Sequence, residues 1–215
     1  MIYEVVDQRS PEWYEMRRGR ITASRFSDIL TSTGKPSTKQ DGYINDLVAE
    51  HLAFEPLDYY QNDAMARGTE LEPEARRKYE EYAQWAVAEV AFVADEALPI
   101  GCSPDGVVID QDDFEPTKLE NIIGGVELKC PGHRNHISWM RKGKCPPEYL
   151  PQIQGTMLIC QVEWWDFFSY HPKIKKQFLF RVQRDENWIR AFTEEVQAFN
   201  DKLQKAIKEA ERHGK

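Results

Sequence analysis

Three charged residues lie in or next to predicted β-strands: an aspartate just before one strand, and a glutamate and a lysine within another. Asp105 lies in the turn sequence Ser-Pro-Asp-Gly (103–106), and Glu127 and Lys129 lie two residues apart in the apolar run Val-Glu-Leu-Lys-Cys (126–130). Because successive side chains of a strand point to opposite faces, the apolar residues of this run share one face and the two charged residues share the other. In the whole sequence, no other lysine follows an acidic residue by two positions.

These residue types suit metal-assisted hydrolysis of a phosphodiester. If the strand that follows Asp105 pairs with the run 126–130 as a hairpin, Asp105 reaches the face that carries Glu127. Two carboxylates held together repel each other and lose solvation unless a positive charge lies between them. Magnesium takes such oxygen ligands together with substrate phosphate, and a nearby lysine can orient or deprotonate water or neutralise charge in the transition state. An exposed Glu–Lys ion pair on a surface hairpin is the alternative.

The surrounding sequence predicts helices on either side of a series of short strands. Helical patterns cover about 43–54 and 70–86. Short β-branched segments separated by Gly, Pro, Asp and Asn then predict strands between about 88 and 130, and two further strands follow at 163–170 and 176–182. Helices and strands in this order indicate a mixed α/β protein.

A long amphipathic helix is predicted at the end of the chain. Its apolar residues recur every three or four positions and form a continuous stripe, made of Trp188, Phe192, Val196, Phe199, Leu203 and Ile207. Such a stripe packs on the helix's own domain or, alternatively, on a second subunit or a partner.

Composition limits the class of protein. The 215 residues are 41% hydrophobic and carry a net charge of −8, which predicts one globular domain over 1–215 whose overall charge does not favour a polyanion. Basic clusters at 17–20, 141–144 and 173–176 offer local contacts instead. No apolar stretch approaches the roughly 20 residues that cross a bilayer, and the first residues lack the features of a secretion signal. We therefore expect a cytosolic protein.

The cysteines favour neither a disulfide framework nor a metal cluster. Cys102, Cys130, Cys145 and Cys160 are widely spaced and include no Cys-x-x-Cys pair, which is typical of reduced thiols. A zinc site built on Cys130, His133 and His136 has no evident fourth ligand in the sequence.

The order of the motifs resembles the PD-(D/E)xK nuclease core of the YqaJ-type viral recombinase family, to which bacteriophage lambda exonuclease belongs. Residues 103–106 and Glu-Leu-Lys-Cys-Pro (127–131) match the core itself. Three further blocks are similar: 17–24 to the family's Arg-x-Gly-x-x-Thr-Ala-Ser block, 68–76 to its Gly-x-x-x-Glu helix, and 149–157 to its Gln-x-Gln helix. The resemblance implies an α/β restriction-endonuclease-like fold, with a central mixed sheet of about five strands flanked by helices.

The same resemblance implies a metal centre and a catalytic lysine. It assigns metal binding to Asp105, Glu127 and the main-chain carbonyl of Leu128, with Glu72 contributing from its helix. Lys129 is then the catalytic lysine, beside the two catalytic carboxylates Asp105 and Glu127. The implied cofactor is magnesium, as two ions, with manganese as a substitute.

A second set of residues is implied to bind DNA. Arg17, Ser24 and Ser103 match positions that bind a terminal 5′-phosphate, and a phosphate monoester suits an arginine with hydroxyls because it offers more charge and more acceptors than a diester. Gln154 matches a polar active-site position. Arg134 is the candidate for a further family arginine, and it lies one residue away from the family's spacing after Lys129.

The implied activity is magnesium-dependent 5′→3′ digestion of one strand of linear double-stranded DNA, which leaves a 3′ single-stranded tail. A single-strand annealing protein is the implied partner, a homotrimeric ring the implied assembly, and the cytoplasm of a bacterial host the implied location of this phage or prophage protein, with no membrane contact. An endonuclease on the same fold, cutting duplex or branched DNA internally, is the first alternative. A catalytically silent DNA-binding or scaffold protein is the second.

Overall fold

The computed structural model describes residues 2–4, 8–53, 63–109 and 121–213, and these form a mixed α/β structure. The helices are α1 (Pro11–Arg17), α2 (Gln40–Ala53), α3 (Asp63–Ala83), α4 (His133–Lys142), α5 (Leu150–Cys160) and α6 (Glu186–His213), with short 3₁₀ helices at Ala23–Asp28 and Pro147–Tyr149. The strands are β1 (Ile2–Glu4), β2 (Ile21–Thr22), β3 (Val87–Ala88), β4 (Phe92–Ala94), β5 (Ile100–Cys102), β6 (Gly106–Ile109), β7 (Ile122–Lys129), β8 (Trp164–Ser169) and β9 (Phe178–Gln183).

Within the described ranges the strands form two sheets. The larger has five strands in the order β3-β6-β7-β8-β9, and it is mixed because β7 and β8 run parallel while the other neighbours run antiparallel. This sheet, with helices packed on it, confirms the predicted fold class. The other sheet has the order β1-β4-β5-β2, and in it β2 runs parallel to β5.

The hairpin predicted from the sequence is formed by β6 and β7. They pair antiparallel with Gly106 opposite Val126, so the turn that carries Asp105 lies beside the Glu-Leu-Lys segment of β7. A Cβ at Gly106 would lie 2.4 Å from the Val87 Cγ1 of β3, so a side chain at this position would force Val87 to move. Glycine at this position therefore lets β3 pack closely against the start of β6.

Strand β7 is covered on both faces. Val126 and Leu128 are buried in one apolar cluster with Ala75 and Tyr79 of α3, as the strand alternation predicts. The side chain of Glu127, on the other face, is also buried. A strand in the middle of a sheet with helices over both faces leaves little room for water around its side chains.

The C-terminal helix α6 packs on its own chain, which confirms the first of the two expectations for its apolar stripe. Five of the six stripe residues are buried, and the sixth, Ile207, is partly buried against the same core. Phe199 contacts Tyr43 of α2, with ring centroids 5.5 Å apart, and Phe192 contacts Phe26 at 4.5 Å. The helix thus closes the core on the side of α2 and the first 3₁₀ helix.

In the described part of the chain, none of the helices combines the length and the apolar character that a membrane span requires.

Candidate active site

Asp105 is held in place by two hydrogen bonds, one from β7 and one from α3. The backbone N–H of Leu128 donates to Asp105 Oδ2 over 2.7 Å, and Arg76 Nε donates to the Asp105 carbonyl oxygen over 3.0 Å. Because β6 and β7 pair antiparallel immediately after this turn, Asp105 lies across from Glu127. The hairpin therefore brings the two carboxylates to neighbouring positions.

Glu127 is a buried carboxylate with two hydrogen-bond donors. Its side chain is 5% exposed, which rules out the exposed surface ion pair as an account of the Glu-x-Lys pattern. Lys129 Nζ donates to Glu127 Oε1, and Gln152 Nε2 lies 2.8 and 2.9 Å from the two carboxylate oxygens. Burial raises the pKa of Glu127 to about 7; Lys129 and Gln152 oppose the shift, whereas the Asp105 charge adds to it. An ionised Glu127 is thus costly without additional positive charge.

Lys129 is positioned between the carboxylates. Its Nζ binds Glu127 and lies 3.9 Å from Asp105 Oδ2, and it stands 5.3 Å from the ring centroid of Tyr149. Burial by itself lowers the pKa of Lys129, but Glu127 and Asp105 more than reverse this effect and the pKa is raised. In this arrangement the lysine is a cation at neutral pH, which suits it to neutralise charge or to orient water.

Glu72 approaches the same place from α3. Arg76 Nη2 donates to Glu72 Oε1 over 3.0 Å, and Arg9 Nη2 lies 3.5 Å from Glu72 Oε2. Burial raises the pKa of Glu72, and the charge of Asp105 raises it further, while both arginines and Lys129 oppose the shift. The charge of Asp105 thus contributes to the raised pKa of Glu72, and a shared role of the two carboxylates as metal ligands stays a prediction.

Arg76 connects the elements of the site. Its side chain is 11% exposed, and besides Asp105 and Glu72 it binds Glu89 Oε1 over 2.7 Å. One guanidinium thus links α3, the turn before β6 and the segment between β3 and β4. Because a guanidinium presents its donors in a fixed planar fork, this link also sets the geometry between Glu72 and Asp105.

The donor chemistry of the site suits a hard divalent cation. Asp105, Glu127 and Glu72 offer carboxylate oxygens, and two of these groups have a raised pKa because they are buried near another negative charge. Among the described His, Cys, Asp and Glu side chains, no three already form a group that could hold a metal ion. Glu127 is instead neutralised by Lys129, and Glu72 by its two arginines. The role of the Leu128 carbonyl as a ligand stays a prediction.

Two of the three residues predicted to bind phosphate are in contact. Arg17 Nη1 donates to Ser103 Oγ over 3.2 Å, and Trp13 Nε1 donates to the same oxygen over 2.9 Å. The Arg17 guanidinium also lies 4.3 Å from the centroid of the Trp13 ring. Because only Pro104 separates Ser103 from Asp105, this cluster adjoins the carboxylates.

Ser24 and Arg134, two other residues predicted to bind DNA, have no contact with the carboxylates among those of the described residues. Ser24 is exposed at the start of the first 3₁₀ helix, with its Oγ 3.4 Å from Thr22 Oγ1. The parallel pairing of β2 with β5 does bring the chain after Thr22 alongside the chain after Gly101, and these segments carry Ser24 and Ser103. Arg134 is exposed on the first turn of α4. The contacts of the described residues join neither side chain to the carboxylates.

The structure does not bring Gln154 to the carboxylates. Gln154 is buried, its Nε2 donates to the Gln183 carbonyl over 2.8 Å, and its Oε1 accepts from the Asp185 N–H over 2.9 Å. Its amide therefore fastens α5 to the end of β9 and to the residue before α6. Gln152, two residues earlier, is the glutamine that binds Glu127. Residues two apart on a helix point about 200° apart, so only one of the pair can face the site.

Sequence reasoning missed Gln152, Arg76 and Trp13. A signal existed for the first two, because both lie inside blocks that carry other site residues, 149–157 and 68–76. To identify Gln152, one must know which face of α5 points to Glu127. To identify Arg76, one must know its distance to the Asp105 carbonyl. No sequence signal identified Trp13, whose indole N–H donates to both Ser103 Oγ and the Ala91 carbonyl.

Comparisons with known proteins bear on the family and on the fold. The family model of the YqaJ-like viral recombinase domain matches residues 12–163, which contain all of the carboxylates discussed above. The crystal structure of an alkaline exonuclease, LHK-Exo from Laribacter hongkongensis, is similar with a TM-score of 0.81 and 32% sequence identity, over 94% of this chain and 97% of that chain.

Two further crystal structures are similar. LHK-Exo in complex with dAMP aligns over 94% of this chain and 97% of that chain, with a TM-score of 0.80 and 33% identity. A phage-related exonuclease from Haemophilus somnus 129PT aligns over 88% of this chain and 96% of that chain, with a TM-score of 0.68 and 16% identity. The last likeness bears on the fold alone.

Proposed function

The chain belongs to the YqaJ-like viral recombinase family, and from this premise we propose that it is a magnesium-dependent exonuclease. It digests one strand of linear double-stranded DNA in the 5′→3′ direction and leaves a 3′ single-stranded tail. The observation that carries the proposal is the cluster of Asp105, Glu127 and Lys129, which the β6–β7 hairpin assembles at a partly buried position. The similarity to an alkaline exonuclease over 94% of the chain supports the same class of activity.

The carboxylates are the proposed metal-binding groups. Asp105 and Glu127 would hold magnesium, together with Glu72 and the Leu128 carbonyl, and manganese would substitute for it. When bound, the metal ions would activate water and stabilise the departing oxyanion. Arg76 keeps Glu72 and Asp105 in a fixed relation, and Gln152 orients the Glu127 carboxylate.

Lys129 is proposed to act as a cation. Its raised pKa keeps it protonated at neutral pH, so it neutralises negative charge that develops on the phosphate oxygens in the transition state. Its place beside Glu127 and near Asp105 puts that charge where the carboxylates would otherwise repel a DNA phosphate. This role explains why the ammonium group of Lys129 lies beside two largely buried carboxylates, Asp105 and Glu127.

The direction of digestion is proposed to follow from the cluster of Trp13, Arg17 and Ser103. Ser103 Oγ accepts hydrogen bonds from both other side chains, which uses its acceptor capacity and leaves its own O–H to donate. An O–H donor beside a guanidinium suits a terminal phosphate. A 5′-phosphate bound there would place the first diester of the strand near Asp105, two residues away along the chain.

The test compares linear duplexes that carry either a 5′-phosphate or a 5′-hydroxyl. The wild-type protein is expected to degrade the first faster, and Arg17→Ala to remove most of the difference, because one charge-assisted contact contributes about 1.5–3 kcal/mol, or roughly 10- to 150-fold. Arg18→Ala is the matched control, since Arg18 pairs with Glu15 instead. Equal wild-type rates on both duplexes would contradict the phosphate cluster and the polarity that depends on it. Cleavage of a covalently closed circle would favour the endonuclease.

The assembly and the cellular context belong to the same proposal. We infer a homotrimeric ring that encloses DNA, because a closed ring retains DNA by topology, which suits a chain with a net charge of −8. The 3′ tail is then the substrate of a single-strand annealing protein in phage-type recombination. Both would act in the cytoplasm of a bacterial host.

A further inference from the structure

A cavity of about 430 Å³ lies beside the candidate active site, between the end of α4 and the second 3₁₀ helix. Trp139, Lys142 and the segment 144–148 line it. Its volume falls within the range of roughly 300–1,000 Å³ that small-molecule sites occupy. None of the roles assigned above to the carboxylates or to the phosphate cluster uses these side chains.

The lining combines an apolar floor with a basic rim. Trp139, which is 7% exposed, and the buried Pro146 line the apolar floor, and Pro147 adds an exposed ring. Lys142 and Lys144 are exposed at the rim, within the basic cluster 141–144. Glu148 also lines the cavity and carries the opposite charge. In a protein with a net charge of −8, a paired lysine rim over an apolar surface favours a ligand that has both a phosphate and an apolar face.

One side chain, Tyr149, connects a residue that lines the cavity to Lys129 of the carboxylate site. The Tyr149 ring, which ends the 3₁₀ helix, lies 5.7 Å from the Trp139 ring on one side and 5.3 Å from Lys129 Nζ on the other. Cys145 lines the cavity and is buried; burial raises the pKa of its thiol to about 12, and the charge of Glu127 contributes to that rise. A ligand in the cavity would therefore lie next to the reacting end of a bound strand.

We propose that this cavity binds one unpaired nucleotide of the DNA substrate, with its phosphate at Lys142 and Lys144 and its base against Pro147 and the accessible part of Trp139. The inference rests on the proposed function. An unpaired nucleotide fits better than a duplex, because the faces of its base are exposed, whereas a duplex hides them in the stack and presents phosphates and groove edges. The cavity thereby holds single-stranded DNA directly beside the site of hydrolysis.

The experiment measures binding of fluorescein-labelled oligothymidylate, about 15 nucleotides long, to the full chain in the presence of a chelator. The affinity is recorded against salt concentration for the wild type and for Lys142→Ala/Lys144→Ala. Because both lysines hold the one phosphate of the bound nucleotide, removing them is expected to lower the slope of log K against log salt by about 0.7, so that the wild type loses roughly 2.6-fold more affinity than the variant over a fourfold rise in salt. The variant should also bind more weakly at low salt.

Two comparisons sharpen the result. Lys205→Ala/Lys208→Ala removes the same charge from the exposed face of α6 and should leave the slope unchanged. Glu148→Gln removes the acid from the cavity and should tighten binding by about 2- to 5-fold. Equal slopes for the Lys142/Lys144 variant and the wild type would overturn the proposal. A molar mass of the variant that differs from that of the wild type by light scattering would also overturn it, because the surface would then be a subunit contact.

Hydrolysis of linear duplex with magnesium is measured in parallel, so the two proposals can fail separately. Equal slopes together with hydrolysis by the wild type would contradict the nucleotide site but not the exonuclease function. A lower slope in the variant, together with no hydrolysis by the wild type, would support the nucleotide site and contradict the nuclease function.

Discussion

Replacing Gln152 by leucine is expected to make the protein's stability more dependent on pH. Gln152 Nε2 lies 2.8 and 2.9 Å from the two oxygens of Glu127, whose pKa is raised by burial to about 7 from an ordinary value of 4.5. The amide donor stabilises the ionised carboxylate more than the protonated one. Its loss should therefore raise the pKa of Glu127 further.

The magnitude follows from the difference between two kinds of hydrogen bond. A bond to a charged group contributes about 1.5–3 kcal/mol and a neutral one about 0.5–1.5 kcal/mol, so the differential is roughly 1–1.5 kcal/mol. At 1.36 kcal/mol per pKa unit, this corresponds to about one unit, which moves the pKa of Glu127 to roughly 8 in the variant.

The sign of the pH dependence follows from linkage. Because the folded-state pKa of Glu127 lies above its unfolded value of 4.5, ionisation opposes folding, and stability falls as pH rises from 4.5 to about 7 in the wild type. In Gln152→Leu the fall continues to roughly pH 8. The variant should therefore lose about 1.4 kcal/mol more, relative to wild type, at about pH 9 than at about pH 6.

Urea unfolding in a chelator, at these two pH values, measures the effect. Gln154→Leu is the matched control: it removes an amide from the same helix, but its partners are the Gln183 carbonyl and the Asp185 N–H, which do not titrate. Its loss of stability should be the same at both pH values. If Gln152→Leu also loses the same free energy at both, Gln152 does not set the charge state of Glu127 and the reasoning is wrong.

Further predictions concern the chemistry and the assembly. Asp105→Ala and Lys129→Ala should each abolish hydrolysis of linear duplex while circular dichroism and thermal unfolding show an intact fold, since neither side chain belongs to the apolar core; substantial turnover by Asp105→Ala would mean that the site is misplaced. Chelation should stop hydrolysis, magnesium or manganese should restore it, and calcium should support DNA binding with little cleavage because its looser coordination positions water poorly. Light scattering should give three times the 25.1 kDa chain mass at micromolar concentration, and a stable monomer would contradict the ring.

Local patterns in the sequence were sufficient for the hairpin, its charged face and the terminal helix. Alternation along 126–130 separates Val126 and Leu128 from Glu127 and Lys129, and the structure keeps that separation. The stripe of α6 recurs with the helical period and is buried as expected. In both cases the side-chain direction depends only on the period of the element, which neighbouring residues define. The extent of one domain over 1–215 stays a prediction.

The boundaries of the helices and the smaller sheet were harder to predict from the sequence. The helices predicted at 43–54 and 70–86 begin earlier, at Gln40 and Asp63. Strands β4 and β5 lie within the predicted series of strands, but the four-stranded sheet itself was not predicted, because β1 and β2 are only three and two residues long and carry too few alternating positions to show a period. Such strands exist because their partners supply hydrogen bonds, and those partners are distant in sequence: β2 pairs with β5 through Ile21 and Ile100.

The sequence by itself determined the candidate residues for the chemistry, because Asp105, Glu127 and Lys129 are distinguished by type and spacing. Only the tertiary structure decided how they are held and with what charge. Gln152 instead of Gln154 faces Glu127 because of the angle at which α5 lies on β7, and Arg76 reaches the Asp105 carbonyl because α3 packs beside that turn. The raised pKa of Glu127 likewise comes from burial by elements far away in the chain. Desolvation and hydrogen bonding depend on distances in space, and those distances are set only when the helices pack on the sheet.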